Sequence, residues 1–589
     1  MKKLWEYIKP YLPRMSGGFA IKFTGAIMDL LIPWMLSTII DDVIPTGDMG
    51  RVLIWGGLMI LAAGAVYAFN VIPNRMAAHV ARDITEEVRR DLYSKTSSLS
   101  CAQVDRLTIP SLISRITSDT YNIHRMLNMI QRLGVRAPIL LVGGLIVTMA
   151  MEPRLGAVLL LLMPLMGLTI YFISKKGIPM YTETQRRVDR LVQTVRENVV
   201  GIRVIKALSK EGYERERFNK TNGELAQQEA KAGITMAATN PLMNLFLNFG
   251  LVAVILLGAF LVDAGVTKIG RIIAFQSYFT IILTAVISLS RMFVILSKGA
   301  ASAGRIAEVL NLPEELQPEL ESGGERDPKA SPDEFIAFDH VTFSYLGQTP
   351  NIQDLSFTLK KGETLGIIGS TGSGKSTVVN LLMRLYDVTG GQVRIGGVDV
   401  KKIPPEKLHR MFGVVFQSDV LFADTIRENI AFGRTMDEAD IEAAAAEAQA
   451  KEFILERDGS YESMLTIRGS NLSGGQRQRL LIARALAGQP PVLILDDSSS
   501  ALDYKTDASL RTAIRENLSG TTSVIVAQRV SSVMQADHIL VLEAGKEAGY
   551  GTHEELMESC PVYQEIAGSQ LGDGIQHHGR TNRKKEAAV

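Results

Sequence analysis

Three short stretches carry residue types and spacings that could do chemistry together. The first, "GSTGSGKST", fits G-x-x-x-x-G-K-[ST]. In that pattern glycines let backbone N–H groups turn toward phosphate oxygens, Lys375 reaches the β/γ-phosphates of a nucleotide such as ATP, and Ser376 can ligate Mg²⁺. The candidate nucleotide-binding set is therefore Gly369, Ser370, Thr371, Gly372, Ser373, Gly374, Lys375, Ser376 and Thr377. The second stretch is "LILDDSSSALD", Leu493 to Asp503, in which Asp496 ends an apolar run. A carboxylate at the end of a buried strand beside a phosphate loop can hold Mg²⁺ through water. Asp497 follows it with a reach about one C–C bond shorter than a glutamate's. The third is "LSGGQ", Leu472 to Gln476, ahead of the helical "RQRLLIARALA". Ser473, Gly474, Gly475 and Gln476 would open a helix whose free N–H groups form a second anion site. Each stretch alone has a bland reading as a Gly-rich loop, a strand-end cap or a helix cap. Together they point to nucleotide chemistry.

Such residues need strands and helices to carry them. "EFIAFDHVTFSY" alternates as a strand should, and "ETLGIIG" runs straight into the Gly-rich loop, with a helical stretch, Val378–Leu385, behind it. An α/β P-loop NTPase domain is expected over 334–568, preceded by a Pro- and charge-rich linker, 311–333, and followed by a disordered tail, 569–589. Residues 1–310 are of another kind. Six apolar runs, about 18–43, 52–72, 133–151, 155–173, 241–262 and 271–295, approach or exceed the roughly 20 residues a bilayer requires. Lys22, Asp29, Arg136 and Arg291 lie inside them, so the spans must pack on one another. Before the first run, Leu4, Trp5, Ile8, Tyr11 and Leu12 mark an interfacial elbow helix, not a cleavable signal.

Three connections between runs are short and two are about 60 residues long. The long ones hold nine and thirteen Lys/Arg, against Arg51, Arg154 and Lys268 in the short ones. Positive-inside bias places the long connections and both termini in the cytoplasm, where ATP is available. Helix-compatible sequence over Met76–Ser98 and Tyr181–Lys231 suggests that the spans continue far beyond the membrane. Each long connection also holds an apolar-basic knot that could dock on another domain, "PSLISRITSD" (Pro110–Asp119) and "GIRVIKAL" (Gly201–Leu208). With 63 Lys plus Arg against 62 Asp plus Glu, nothing calls for nucleic acid. Cys101 and Cys560 provide neither a disulfide framework nor a metal-ligand spacing.

The motifs on either side of "LSGGQ" give the C-terminal half a resemblance to the ATP-binding cassette (ABC) domain, and the six-span half resembles the membrane domain of an exporter of that superfamily. The resemblance covers about residues 1–565. It implies that Tyr345 stacks on adenine, that Gln417 in "VVFQSDVLF" senses Mg²⁺ and the membrane domain, and that Ser500–Asp503, "SALD", touches a partner. The two knots lie where the family's coupling helices lie. In such exporters two cassettes close head to tail, each ATP held between one chain's "GSTGSGKST" and the other's "LSGGQ".

At three places, four residues depart from the family pattern. Asp497 stands where a hydrolytic site has glutamate, Gln528 where it has histidine, and Thr466 and Ile467 where many exporters have Gly-Glu. The resemblance thus implies one subunit of a bacterial heterodimeric multidrug-type exporter in the cell membrane. Its own ATP site would bind nucleotide and hydrolyse it poorly, and a homologous partner would supply the glutamate and histidine. A homodimeric lipid or peptide flippase and a nucleotide-gated regulator that does not transport remain as alternatives. With the elbow helix almost at Met1, no peptidase segment for export with leader cleavage is expected. The substrate would be a small hydrophobic or amphipathic compound. Asp29, Asn244, Asn248 and Gln276 are candidate cavity residues, and an Asp29 carboxylate facing a cavity predicts that Asp29→Asn alters transport of cationic compounds more than basal ATPase.

Overall fold

The computed structural model describes residues 1–316, 334–345, 347, 349–498, 501–517 and 520–571. The linker from residue 317 on, Ser500 of "SALD" and the tail from 572 on lie outside them. The chain divides into two units, Met1–Ser97 with Ile109–Leu312, and Ser98–Thr108 with Pro313–Val589.

The first unit is helical and supplies six helices long and apolar enough to cross a membrane. The fourth span, Pro153–Val200, starts with proline, whose missing N–H is unneeded there, and runs for 48 residues. At 1.5 Å per residue such a helix is about 70 Å long, more than twice the roughly 30 Å of bilayer hydrocarbon. The second, Met49–Ser97, is of similar length, so the spans do continue well past an apolar layer. The long helix expected over Tyr181–Lys231 is interrupted: Gly201 ends the fourth span, Ile202–Ala207 forms a separate short helix, and Glu211–Ala237 resumes. A break at Ala238 leads to Thr239–Asp263 in the fifth span.

Close approach holds the spans together. Gly250 lies where an added Cβ would stand 2.3 Å from the Phe279 ring, so only glycine admits that aromatic. Tyr278 is fully buried on the sixth span, Ile269–Leu310, and its hydroxyl donates to the Leu30 carbonyl of the first span at 2.6 Å. The sixth span begins under a cap from elsewhere. Asp41 accepts from Gly270 N at 2.6 Å and Arg271 N at 3.0 Å, two of the donors a helix start leaves over.

Asp29 pairs with Arg136 of the third span at 2.9 Å, while Asn244, Asn248 and Gln276 are exposed. One reading of this half needs correction. The knot Pro110–Asp119 belongs to the helical unit. Its buried Asp119 accepts from Ser302 Oγ and Arg305 Nε, both at 2.8 Å, and Arg115 donates to the Arg305 carbonyl at 2.7 Å. Those charged groups are engaged by the sixth span. The segment of the first long connection that groups with the C-terminal unit is instead Ser98–Thr108, with its short helix Cys101–Leu107.

In the second unit the strands β1 (Glu334–Phe343), β2 (Ile352–Lys360), β4 (Gly390–Ile395) and β5 (Val398–Asp399) form a four-stranded sheet in the order β2-β1-β4-β5. A six-stranded sheet, edged by β10 (Lys546–Gly551), contains the strands that matter, β3 (Thr364–Gly369), β6 (Phe412–Val415), β7 (Val492–Asp496), β8 (Thr522–Val526) and β9 (His538–Glu543), in the order β10-β9-β3-β8-β7-β6. All five are mutually parallel, and every residue of β7 is buried, as an apolar run covered on both faces requires.

Candidate functional site

Register brings the sequence candidates together. Ile367 of β3 pairs with Val526 of β8, and Val526 with Asp496 of β7. The Gly369 loop, Asp496, Asp497, Gln528 and Gln417 therefore all leave the carboxyl ends of adjacent parallel strands, where open α/β sheets hold ligands. A cavity of about 420 Å³ opens there, lined by Thr371, Gly372, Gly374, Lys375, Ser376, Thr377, Gln417, Asp496, Asp497 and Gln528.

The loop is shaped by its glycines. Gly374 takes φ +103° as the residue before the helix Lys375–Leu382, and a Cβ there would lie 2.7 Å from Ile352 Cδ1. Lys375 Nζ donates to the carbonyls of Gly369 and Ser370, each at 2.8 Å. Burial pulls its pKa below the ordinary lysine value, against the pull of Asp496 and Asp497. Asp496 is 4% exposed. Burial pushes its carboxyl above the usual aspartate value, while a hydrogen bond with Ser376 and the Lys375 charge hold it down.

Gln528 Nε2 donates to Asp497 Oδ2 at 3.0 Å, so the two departures from the family pattern are bonded to each other. Asp497 sits at φ +50°, a left-handed conformation that Asp and Asn tolerate better than longer side chains. Tyr345 lies outside the cavity wall. Its hydroxyl accepts from Asn380 Nδ2 at 3.2 Å, and its ring meets Tyr386 edge-on with centroids 4.9 Å apart. The residue is 40% exposed.

"LSGGQ" does not line this cavity. Ser473 caps the helix Gly474–Leu486 by accepting from Gln476 N at 3.2 Å, and Gln476 Oε1 accepts from Ser473 N at 3.0 Å, a reciprocal capping box. Thr466 is tied to Asn471 and Ser470, while Ile467 is 75% exposed.

The arrangement matches known proteins along its length. The family model for the ABC transporter transmembrane region matches residues 15–286, and that for the ABC transporter matches 352–500. YfiB of Bacillus subtilis, an uncharacterized ABC transporter ATP-binding protein, is 35% identical over 97% of this chain and 99% of its own. The chain belongs to the ABC transporter family. A multidrug efflux ATP-binding/permease protein of Mycobacterium tuberculosis is 31% identical over 96% of this chain, which spans 47% of that protein. The structure of a bacterial Atm1-family ABC exporter with ATP bound has the same fold, with a TM-score of 0.79, 23% identity, and coverage of 96% of this chain and 99% of that one. This ABC exporter half-transporter is a multi-pass membrane protein with an ATPase domain.

The residues fit the nucleotide and Mg²⁺ that such a domain implies. Ser373 Oγ is buried with no hydrogen-bond partner in the loop, and Ser376 and Asp496 present the oxygen donors that Mg²⁺ prefers. Sequence reasoning missed six wall residues, Pro350, Asn351, Val526, Ala527, Ala544 and Gly545. It also missed Arg484, which donates from Nε to the Asn429 carbonyl and from Nη1 to the Val420 carbonyl, both at 2.9 Å. Arg484 thereby ties the segment after Gln417 to the helix that "LSGGQ" opens. An arginine within the apolar face "LLIARAL" was the available signal.

Proposed function

We propose that this half-transporter is the degenerate-site subunit of a heterodimeric exporter of hydrophobic or amphipathic compounds, with its termini in the cytoplasm. The observation that carries the reading is the Gln528–Asp497 hydrogen bond on the wall of the phosphate cavity. The carboxylate that would orient the attacking water is set back by about 1 Å, a displacement worth on the order of 100-fold. The group beside it is a neutral amide, which cannot become a cation to meet the charge developing on the γ-phosphate.

Binding is a separate matter. The N–H groups of Gly369 to Thr377 and the Lys375 ammonium would hold the ATP phosphates, Tyr345 would stack on the adenine, and Ser376, Gln417 and, through water, Asp496 would hold Mg²⁺. Bound Mg²⁺ would neutralise phosphate charge. In the head-to-tail pair, Ser473, Gly474, Gly475 and Gln476 would complete the partner's site, whose glutamate and histidine do most of the hydrolysis. Efflux of drug-like compounds is supported by the named activity of the mycobacterial relative.

The test is nucleotide binding and turnover by the purified chain, alone and with its partner. Alone, it should bind ATP·Mg²⁺ and turn it over at least tenfold more slowly than the complex. Turnover by a verified homodimer at the complex's rate would overturn the reading.

A further inference from the structure

The charges inside the helical unit point to a chemical class of substrate. A cavity of about 250 Å³ is bounded by Asp29 of the first span, Arg136 and Leu140 of the third, and Thr280, Thr284 and Ser288 of the sixth. Arg136 Nε and Nη2 both donate to one oxygen of Asp29, Oδ2, at 3.1 and 2.9 Å. Among the described residues, Nη1 of Arg136 makes no hydrogen bond, which leaves its two N–H donors for another acceptor. The Asp29 side chain is 15% exposed and that of Arg136 37%, so the guanidinium is the more open member of the pair.

The surrounding field is positive. Lys22, two helical turns before Asp29, is buried and held by the neutral side-chain oxygens of Asn70 at 2.8 Å and Asn74 at 3.0 Å. Arg132, Arg136 and Asp29 all lie within its electrostatic reach. Within the apolar runs, Lys22 and Arg136 thus set two cations against the one carboxylate of Asp29, and an unmatched charge there is costly and marks a functional site by default. The hydroxyls of Thr280 and Thr284 donate to carbonyls of their own helix at 3.3 and 2.9 Å. Donation to an incoming anion therefore falls to Arg136 and Ser288.

We propose that this cavity binds the anionic head of an amphipathic molecule, a carboxylate, sulfonate or phosphate, on Arg136, with Leu133, Leu140 and Ile281 receiving the first methylenes. The proposal rests on the exporter reading and narrows its substrate class. At about 250 Å³ the cavity is smaller than the roughly 300–1,000 Å³ of pockets that enclose drug-sized ligands, so it takes the head and leaves the tail among the spans. An anionic lipid entering from the bilayer and a soluble amphipathic anion present the same chemistry.

The test uses the full chain in phosphatidylcholine nanodiscs without ATP. Radiolabelled laurate should bind at least tenfold more tightly than dodecyltrimethylammonium. Arg136→Gln should remove that preference and Arg136→Lys should keep most of it. Asp29→Asn should tighten laurate binding, since it removes the carboxylate competing for the same guanidinium; that variant decides the matter if Arg136→Gln fails to fold. Displacement of laurate by dioctanoyl phosphatidylglycerol would identify a site open to lipid, and its persistence a site for smaller anions; both sustain the proposal. Equal binding of the cation, full laurate binding by Arg136→Gln, or weaker binding by Asp29→Asn would overturn it. Laurate binding without ATP-driven movement in vesicles holding both chains would refute the reading of such amphipaths as the exported substrate and leave the site standing.

Discussion

At the scale of single residues, Asp497 and Gln528 differ from a working hydrolytic pair in reach and in charge. Asp497→Glu should raise hydrolysis at this site by up to about 100-fold, the cost of a 1 Å displacement restored. Gln528→His should add to it without simple multiplication, since both groups act on one transition state. The backbone sets a counter-effect. At φ +50° glutamate is less at ease than aspartate, so Asp497→Glu should also lower thermal stability, by roughly 1 kcal/mol. The measurement is steady-state ATPase of the complex whose partner has lost its own glutamate; silence of the double variant there would show that the defect lies elsewhere. The two residue types were legible in the sequence. Their mutual hydrogen bond was not, because Asp497 and Gln528 stand 31 residues apart and meet only through the β7–β8 register.

At the scale of elements, what could be read was local. Strand, Gly-rich loop and helix follow one another within "ETLGIIGSTGSGKSTVVNLL", and the structure reproduces that order as β3 and Lys375–Leu382. "SCAQ" was equally local and was overlooked: Ser100 and Gln103 form a capping box that opens Cys101–Leu107, and Gln103 Nε2 donates to the Pro313 carbonyl at 2.9 Å. The cap on the sixth span could not be read, since Asp41 and Gly270 are 229 residues apart. That cap is testable. Asp41→Ala should cost about 1–2 kcal/mol, as removal of a capping carboxylate does, and Asp41→Asn less, because one amide oxygen still accepts. Thermal unfolding in detergent checks this, with an unchanged Tm for Asp41→Ala as the contrary result. Gly270→Ala should behave like Asp41→Ala, because the added methyl would stand 2.8 Å from the Asp41 carboxyl.

At the scale of the whole molecule, one chain carries a phosphate cavity and, away from it, a capped helix start with a different task. In the heterodimer, Lys375 would hold nucleotide at this chain's weak site, whereas Ser473, Gly474 and Gly475 would close on the γ-phosphate at the partner's strong one. Damage to the two motifs should therefore be unequal. Ser473→Ala with Gly475→Glu should nearly abolish steady-state hydrolysis. The new side chain would start 3.4 Å from the Ala501 carbonyl and bring a carboxylate toward a phosphate, adding like-charge repulsion where glycine allows close approach. Loss of the Ser473 cap itself costs only about 1 kcal/mol, so assembly of the variant complex should survive and must be verified. Lys375→Ala should weaken retention of ATP on this chain and loosen coupling, yet leave more of the ATPase rate, because it removes binding at a site contributing little turnover. The comparison is made at saturating ATP with both complexes intact. If Lys375→Ala proves the more damaging, the strong site lies on this chain and the assignment of roles is reversed.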